Sequence, residues 1–403
     1  MQNRRLVFTF GLLTGLFAAG YGVMFTVLDD FRDEYGISDS ALGLIVAIGF
    51  FSSFAAQVLF APLADRGHAR QLVFVGMVLE VAGVLGMAVG RDVAVLLIGR
   101  LVMGLGAGVA IPAARRIVIL ADPDNLGSNI GRLLAADVAG FAMGPAISAV
   151  LVGPFGIPAP FLLIGVAIVA CLPVVLRVNV DEADRNDATQ ARFAFDLLGQ
   201  RAYVAALCLG AAGFVMIGTF DALWVLVLDD LNTADWIANL GITLFALPLV
   251  FLGAIGGRLA QRIGPYKVGA VGLLVGASFM FLYGRWATGA LMFAAAMFHS
   301  ICDGFTISSA GVAVGMVAPR ERQAGAQGLL GGVQTLTGGI AALVAGGLYD
   351  GSGRTVAYTA CGIAMAVLVV SGVVVAGRAV HLRGAVEEGV AAVERPTAVL
   401  ADG

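Results

Sequence analysis

The sequence predicts an all-α integral membrane protein of twelve transmembrane helices, arranged as two pseudo-symmetric halves of six. Three observations carry this. The first is composition. Of 403 residues, 59% are hydrophobic and 13% are charged, with a mean hydropathy of +0.94, whereas soluble domains carry about a quarter charged residues. The second is a recurrence of apolar runs of roughly 20 residues, each long enough to cross a hydrocarbon core about 30 Å thick. They are rich in Gly, Ala, Leu and Val without strand-like alternation, which selects a helical bundle over a barrel. The 56 glycines suit helix backbones that approach closely. The third is internal repetition. Leu28-Asp29-Asp30 returns as Leu228-Asp229-Asp230 at an offset of 200, Leu63-Ala64-x-Arg66 as Leu259-Ala260-x-Arg262 at 196, and Leu133-Leu134 as Leu329-Leu330 at 196. Short as they are, these matches keep one order along the chain and point to a duplicated design.

In chain order, the first span is predicted at 6–28, behind Arg4-Arg5. Its distal end recurs near Asp229, which favours a retained helix over a cleaved leader. A short acidic outer loop at 29–39 leads to the second span, 40–60, and a charged turn. The third span covers 72–90, Arg91-Asp92 reverses the chain, and the fourth runs from 93 to about 114. The fifth covers about 129–152, a Pro/Gly-rich loop occupies 153–160, and the sixth covers 161–178. Residues 179–200, with Asp181-Glu182-x-Asp184-Arg185-x-Asp187, form the long hydrophilic linker between the halves 1–178 and 201–377. Spans seven to twelve follow at 203–228, 237–257, 268–284, 289–317, 323–348 and 355–377, with a tail at 378–403.

Charge fixes the orientation. With these loops, nineteen Lys and Arg fall on one side. Only Arg32, Arg91, Arg285 and Arg354 fall on the other, and Arg100 lies within a span, which accounts for all 24. Positive residues mark the cytoplasmic face, so both termini and the linker are expected inside. Cys171, Cys208, Cys302 and Cys361 all lie in apolar runs without a CxxC pair, so neither a disulfide framework nor a zinc site is indicated.

The charged turn is Ala61-Pro62-Leu63-Ala64-Asp65-Arg66-Gly67-His68-Ala69-Arg70. It resembles the turn between helices 2 and 3 of the major facilitator superfamily, roughly Gly-x-Leu-Ala-Asp-Arg-x-Gly-Arg-Arg. Here Ala61 replaces the first glycine and the second sits one place early, at Gly67. The resemblance covers essentially the whole chain. It implies the major facilitator fold, in which two halves rock about a midplane site, and a role for Asp65, Arg66 and Arg70 in latching one conformation.

Ionisable groups inside membrane helices are costly and therefore functional candidates: Glu80, Arg100, Asp137, Asp221, Asp303, and His299 beside the last. Arg100 and the small residues Gly104, Ala107 and Gly108 share one helix side and resemble the family's fourth-helix signature. Either a functional arginine or one that only ties neighbouring helices fits. Gly140-Phe141-Ala142-Met143-Gly144-Pro145 resembles the antiporter signature Gly-x-x-x-Gly-Pro-x-x-Gly-Gly, with Ser148-Ala149 in place of the last glycines. Gly140 and Gly144 flatten a helix face, and Pro145 frees a carbonyl and permits a bend. Plain helix packing is the alternative.

Asp137 shares that face and is the first candidate to carry a proton, against a charge pair that never titrates. Asp303 and Asp221 come next. His299, Asp303 and Thr306 share one face of the tenth span, and Asp221 sits beside Trp224. Depth along the helices allows an Arg100–Asp221 contact. Tyr21, Met24 and Phe25 stand at helical spacing as an aromatic–methionine wall for apolar substrates, or as packing. Trp224 and His299 extend the binding candidates. Glu80 receives no role.

The expectation is a proton-coupled efflux antiporter for small, drug-like or lipophilic molecules. One proton moved down ~120 mV gains roughly 2.8 kcal/mol and one pH unit about 1.4 kcal/mol, enough for a several-hundred-fold gradient of a neutral substrate. The rivals are a proton symporter or facilitator for a sugar, organic acid or amino acid, and a membrane enzyme or sensor. Clustered metal ligands and nucleophile–base pairs are missing from the sequence, which speaks against an enzyme. The expected partners are a small-molecule substrate, protons and the lipid bilayer, with no nucleic acid, metal or cofactor. The chain is expected to work as a monomer in the inner (plasma) membrane.

Overall fold

A computed structural model describes residues 2–177 and 193–384. Among them the secondary structure is helical throughout. The helices are α1 (Gln2–Thr26), α2 (Leu28–Tyr35), α3 (Asp39–Leu63), α4 (Ala69–Val89), α5 (Val93–Ala121), α6 (Leu126–Phe155), α7 (Pro158–Arg177), α8 (Arg201–Asp230), α9 (Asp235–Ile263), α10 (Pro265–Tyr283), α11 (Gly289–Thr306), α12 (Ser309–Val317), α13 (Gln323–Ser352) and α14 (Arg354–Ala376). Eleven continuous segments are long and apolar enough to span a bilayer, and one of them, Ser40–Val89, is a hairpin. Its helices separate at Arg66 and Gly67, where Gly67 takes φ of 82°, a conformation that costs a residue without Cβ nothing. The direction reverses there: α3 runs alongside α5 in the same sense, while α4 runs against it. Counted that way, the described residues hold twelve segments long and apolar enough to cross a bilayer, in keeping with the predicted fold class.

Each half has its own core. The first is built around Phe10, Phe17, Phe31 and Phe161. The second surrounds Trp224, Tyr203, Tyr266, Tyr283 and Tyr358. Phe8, Phe251, Leu343 and Val374 face outward, each about three-quarters exposed, as a lipid-facing surface should be. Lipid is as apolar as leucine, so helix association here depends on close packing rather than on removal of apolar surface from water. The antiporter-like glycines supply such contacts: a Cβ at Gly140 would fall 1.8 Å from the Gly15 carbonyl oxygen, and one at Gly144 would fall 2.2 Å from the Gly22 carbonyl carbon. Pro145 lies within α6 one residue later.

Three local expectations are corrected. The acidic outer segment 29–39 is largely helix α2, because Asp29 and Asp30 occupy its first turn, Gly36 closes it at φ of 66°, and Phe31 stacks on Phe161 at 6.4 Å. The tenth span is not one helix but α11 and α12, and Thr306 Oγ at the break donates back to the Cys302 carbonyl at 2.9 Å, a bond that bends helices. The fourth span continues past residue 114 to Ala121, so Arg115 and Arg116 are helical rather than loop residues. The acidic stretch at 181–187 and most of the tail lie outside the described residues.

The halves meet at the end of the molecule that carries the first residues of α1. There α6 lies on α9 through glycines: a Cβ at Gly127 would fall 2.1 Å from the Gly257 oxygen, and one at Gly131 would fall 2.0 Å from the Gly253 oxygen. Beside this seam α3 lies on α13, with Gln57 Nε2 donating to Thr335 Oγ1 at 3.3 Å. Beyond Gly332, α13 is at most half-buried apart from Ala345, and a cavity opens between the halves.

Candidate functional site

The cavity between the halves measures about 380 Å³, within the range of small-molecule sites. Its walls are aromatic. Tyr21, Phe25, Phe50 and Phe141 come from the first half, and Phe214, Phe220 and Phe245 from the second. The rings form continuous panels, with Phe25 6.0 Å from Phe141 and Phe220 4.9 Å from Phe245. Three carboxylates, Asp137, Asp221 and Asp303, line the same space, and Arg115 is the single cationic side chain among the described lining residues.

The three carboxylates differ in their surroundings. Asp137 on α6 forms a loose ion pair with Arg115 of α5 at 3.8 Å, and its Oδ1 has no hydrogen-bond partner. Asp221 on α8 is exposed toward the cavity. Asp303 on α11 is 3% exposed and approaches His299 Nε2 at 3.4 Å, one helical turn away. His299 Nδ1 in turn shares a 3.0 Å hydrogen bond with the Tyr283 hydroxyl, while Phe279 stacks on the imidazole at 4.8 Å.

Other candidates sit elsewhere. Met24 is fully buried in the first-half core and turns away from the cavity, because α1 presents Tyr21 and Phe25 on one side and Met24 on another. Trp224 is also fully buried. It stacks behind Phe220 at 4.5 Å and so supports the wall without forming it. Arg100 is buried inside the first half behind Tyr21, its guanidinium 3.7 Å from the ring centre, and the expected Arg100–Asp221 contact is not formed. Helix rise gave their depths but not the faces they present.

The charged turn lies at the closed end. Asp65, with no exposed surface, accepts from Arg116 Nε at 3.0 Å and from the backbone amides of Ala324 at 2.9 Å and Gly325 at 2.7 Å. Those amides begin α13 of the opposite half, where unpaired N–H groups and the helix dipole favour an anion. Arg70 donates to the Leu176 carbonyl, tying α4 to α7, while Arg66 is half-buried in the turn itself. The repeat places Gln261 at the Asp65 position of the second half. Its Oε1 accepts from Gly127 N, at the start of α6, at 2.8 Å. Each half therefore caps a helix of the other, once with a charge and once without.

Sequence reasoning missed several partners. The linker's end is pinned by Arg322, which donates to Asp196 at 2.6 Å and to the Phe193 carbonyl at 2.9 Å. Hydrogen bonding from Arg322 holds the Asp196 carboxyl below its ordinary range, so that carboxyl stays ionised at neutral pH. Gln261 Nε2 also donates to the Asp124 carbonyl at 3.2 Å and the Gly384 carbonyl at 3.5 Å, and the Gln261 backbone carbonyl accepts from Gly384 N at 3.0 Å. Only the Asp65–Gln261 equivalence had a signal in the sequence, the 196-residue offset.

A family model described as Major Facilitator Superfamily matches residues 10–233 and 207–401. The chain is 28% identical over 129 residues to the quinolone resistance protein NorA of Staphylococcus aureus (strain MRSA252), a match covering 32% of this chain and 33% of that protein. It is 25% identical over 361 residues to a triacylglyceride transporter of Mycolicibacterium smegmatis, covering 72% of this chain and 63% of that one. The chain thus spans about a third of the length of the NorA relatives it matches. In fold it is similar to the human organic anion transporter MFSD10 (TETRAN), with a TM-score of 0.74 and 18% identity over 92% of this chain and 99% of that one. It is likewise similar to the proton:xylose symporter XylE, at 0.75 and 14% over 91% and 94%.

Proposed function

This chain belongs to the major facilitator superfamily, and on that premise we propose that it is a proton-coupled antiporter exporting small lipophilic molecules, cations foremost, by alternating access. The observation that carries this is the lining of the cavity: aromatic panels from both halves with three carboxylates against one arginine. Aromatic faces attract organic cations, and the carboxylates supply net negative charge in a space of low dielectric. The same negative charge can be satisfied by a proton. Proton and cation then compete for it, which is the condition for exchange. The partial likeness to NorA agrees with efflux.

The decisive experiment is transport by purified protein in proteoliposomes. A lipophilic cation such as tetraphenylphosphonium should be accumulated against an imposed pH gradient, with proton movement in the opposite direction reported by an entrapped dye. Co-movement of protons and a sugar or organic acid, with no response to the cation, would replace this reading by the symporter.

Orientation follows from the positive-charge asymmetry: the end closed by the glycine seam is cytoplasmic, and the cavity is open to the outside. Gly199, in the 3-10 turn Phe195–Gly199, and Gly351, at the far end of α13, both have open space where a Cβ would be added. Gly351→Cys should react with an impermeant maleimide in intact cells, while Gly199→Cys should react only after permeabilisation. The reverse pattern inverts the topology.

A further inference from the structure

Directly behind the first-half wall of the cavity lies a charged pair that the site described above does not use. Glu80 of α4 and Arg100 of α5 are both completely buried. Both carboxylate oxygens of Glu80 and all three guanidinium nitrogens of Arg100 lack a hydrogen-bond partner. Glu80 and Arg100 form no direct ion pair or hydrogen bond with each other, and the guanidinium lies against Tyr21. Glycines shape the space. A Cβ at Gly49 would fall 2.3 Å from Arg100 Cζ, one at Gly106 would fall 3.0 Å from Glu80 Oε2, and one at Gly20 would fall 3.6 Å from Oε1. Tyr21 closes the pocket on the cavity side. Its ring covers the guanidinium at 3.7 Å, its hydroxyl donates to the Gly49 carbonyl at 3.4 Å, and the residue lines the cavity.

Stability does not account for this arrangement. Replacing a buried ion pair by apolar side chains of similar volume is often neutral or stabilising, and ionised groups in membrane helices are costly unless they serve a purpose. Position gives one. Arg100 holds the Tyr21 ring as part of the wall, yet it puts a positive charge one ring's thickness from the cavity. Charges in such an interior are weakly screened. An uncompensated Arg100 would therefore repel the cations that the aromatic panels and carboxylates attract.

We propose that Glu80 is a specificity-determining residue: buried behind the wall, its carboxylate cancels the charge that Arg100 projects through Tyr21 and keeps the cavity selective for cations over anions. The unpartnered oxygens and nitrogens of the pair are suited to bridging by buried water. Glu80 touches no substrate and acts through the field it balances. The proposal rests on the cation reading above.

The test compares two probes of nearly the same shape and opposite charge, tetraphenylphosphonium and tetraphenylborate, binding to the full-length protein in nanodiscs. Glu80→Gln should weaken the phosphonium on the order of tenfold and strengthen the borate by a similar factor, as expected for one added charge at this range in a protein interior. Arg100→Leu should shift the ratio of the two affinities the opposite way. The double variant should return the ratio to near the parent value. Any disturbance of wall shape acts on both probes and cancels in the ratio, and Arg100→Leu alone still gives a signed answer if Glu80→Gln fails to fold. An unchanged ratio in the single variants, or a double variant that keeps the Glu80→Gln ratio, overturns the proposal. A parent protein that binds neither probe, or only the borate, overturns the cation reading first and the proposal with it.

Discussion

Asp137→Asn is expected to abolish accumulation of a lipophilic cation driven by a pH gradient and to weaken its binding, while gradient-free exchange persists at saturating cation. The carboxylate faces the cavity from α6, paired with Arg115 only at 3.8 Å and with one oxygen unpartnered. A short, bidentate pair would hold protons off. This loose one leaves an acceptor open to whichever side the cavity faces. When Asp137 takes a proton, Arg115 is left unbalanced and the cavity loses part of its attraction for a cation, so proton uptake from outside favours release there. Exchange of one proton for one monovalent cation moves no net charge. The pH gradient alone then drives it, at about 1.4 kcal/mol per unit, or a tenfold cation gradient. The asparagine keeps size and polarity and cannot carry the proton. Proteoliposomes should show counterflow of the cation with no proton flux and no net accumulation. Asp303→Asn is the comparison, since His299 beside it makes the next carrier. If Asp137→Asn still moves protons as the parent does, the site is structural, and Asp303 or Asp221 carries the coupling.

The second large effect is expected from Asp65→Asn. Asp65 joins α3 and α4 to the start of α13 in the other half while neutralising buried Arg116. The two amide contacts cross between the halves and exist only while this end is closed, whereas the Arg116 pair lies within the first half. A hydrogen bond to a charged group is worth about 1.5–3 kcal/mol, and the uncharged asparagine weakens the two amide contacts in one conformation alone. The balance between the two conformations should move toward the one open at the seam by about tenfold or more. Spin labels at Gly43 of α3 and Gly347 of α13, where open space surrounds an added Cβ, should report it as a shortened distance across the far end. Turnover should fall, and substrate affinity measured within one conformation should change little. Lost affinity with an unshifted distance would make Asp65 a binding residue instead.

Much of this was legible in the chain, for physical reasons. Span number, the reversal at Gly67 and the doubled plan all register as local composition or as repetition, and the 196-residue offset of Leu63-Ala64-x-Arg66 puts Gln261 at the position of Asp65. Packing partners have no such trace. Glu80 received no role because its significance comes from Arg100 and Tyr21, which reach it from two other helices. Met24 and Trp224 were grouped with Tyr21, Phe25 and Asp221 by spacing along one helix. Only the neighbouring helices decide which of those side chains meets the cavity and which the core. Hydropathy falls at the arginine pair and alone puts Arg115 in a loop, although the helix continues to Ala121 and turns one arginine into the cavity and the other onto Asp65.

The glycine seam between α6 and α9 has a consequence for the speed of the cycle. In alternating access this surface is parted and rejoined once per substrate. Gates built from long side chains must freeze their rotamers each time they shut, at roughly 0.5–2 kcal/mol for each side chain stilled. At Gly127, Gly131, Gly253 and Gly257, the contact is backbone against backbone. Nothing there has rotamers to lose on closing or to regain on opening. The gate can therefore shut tightly without a matching loss of side-chain entropy, which suits a joint that must reopen within every turnover.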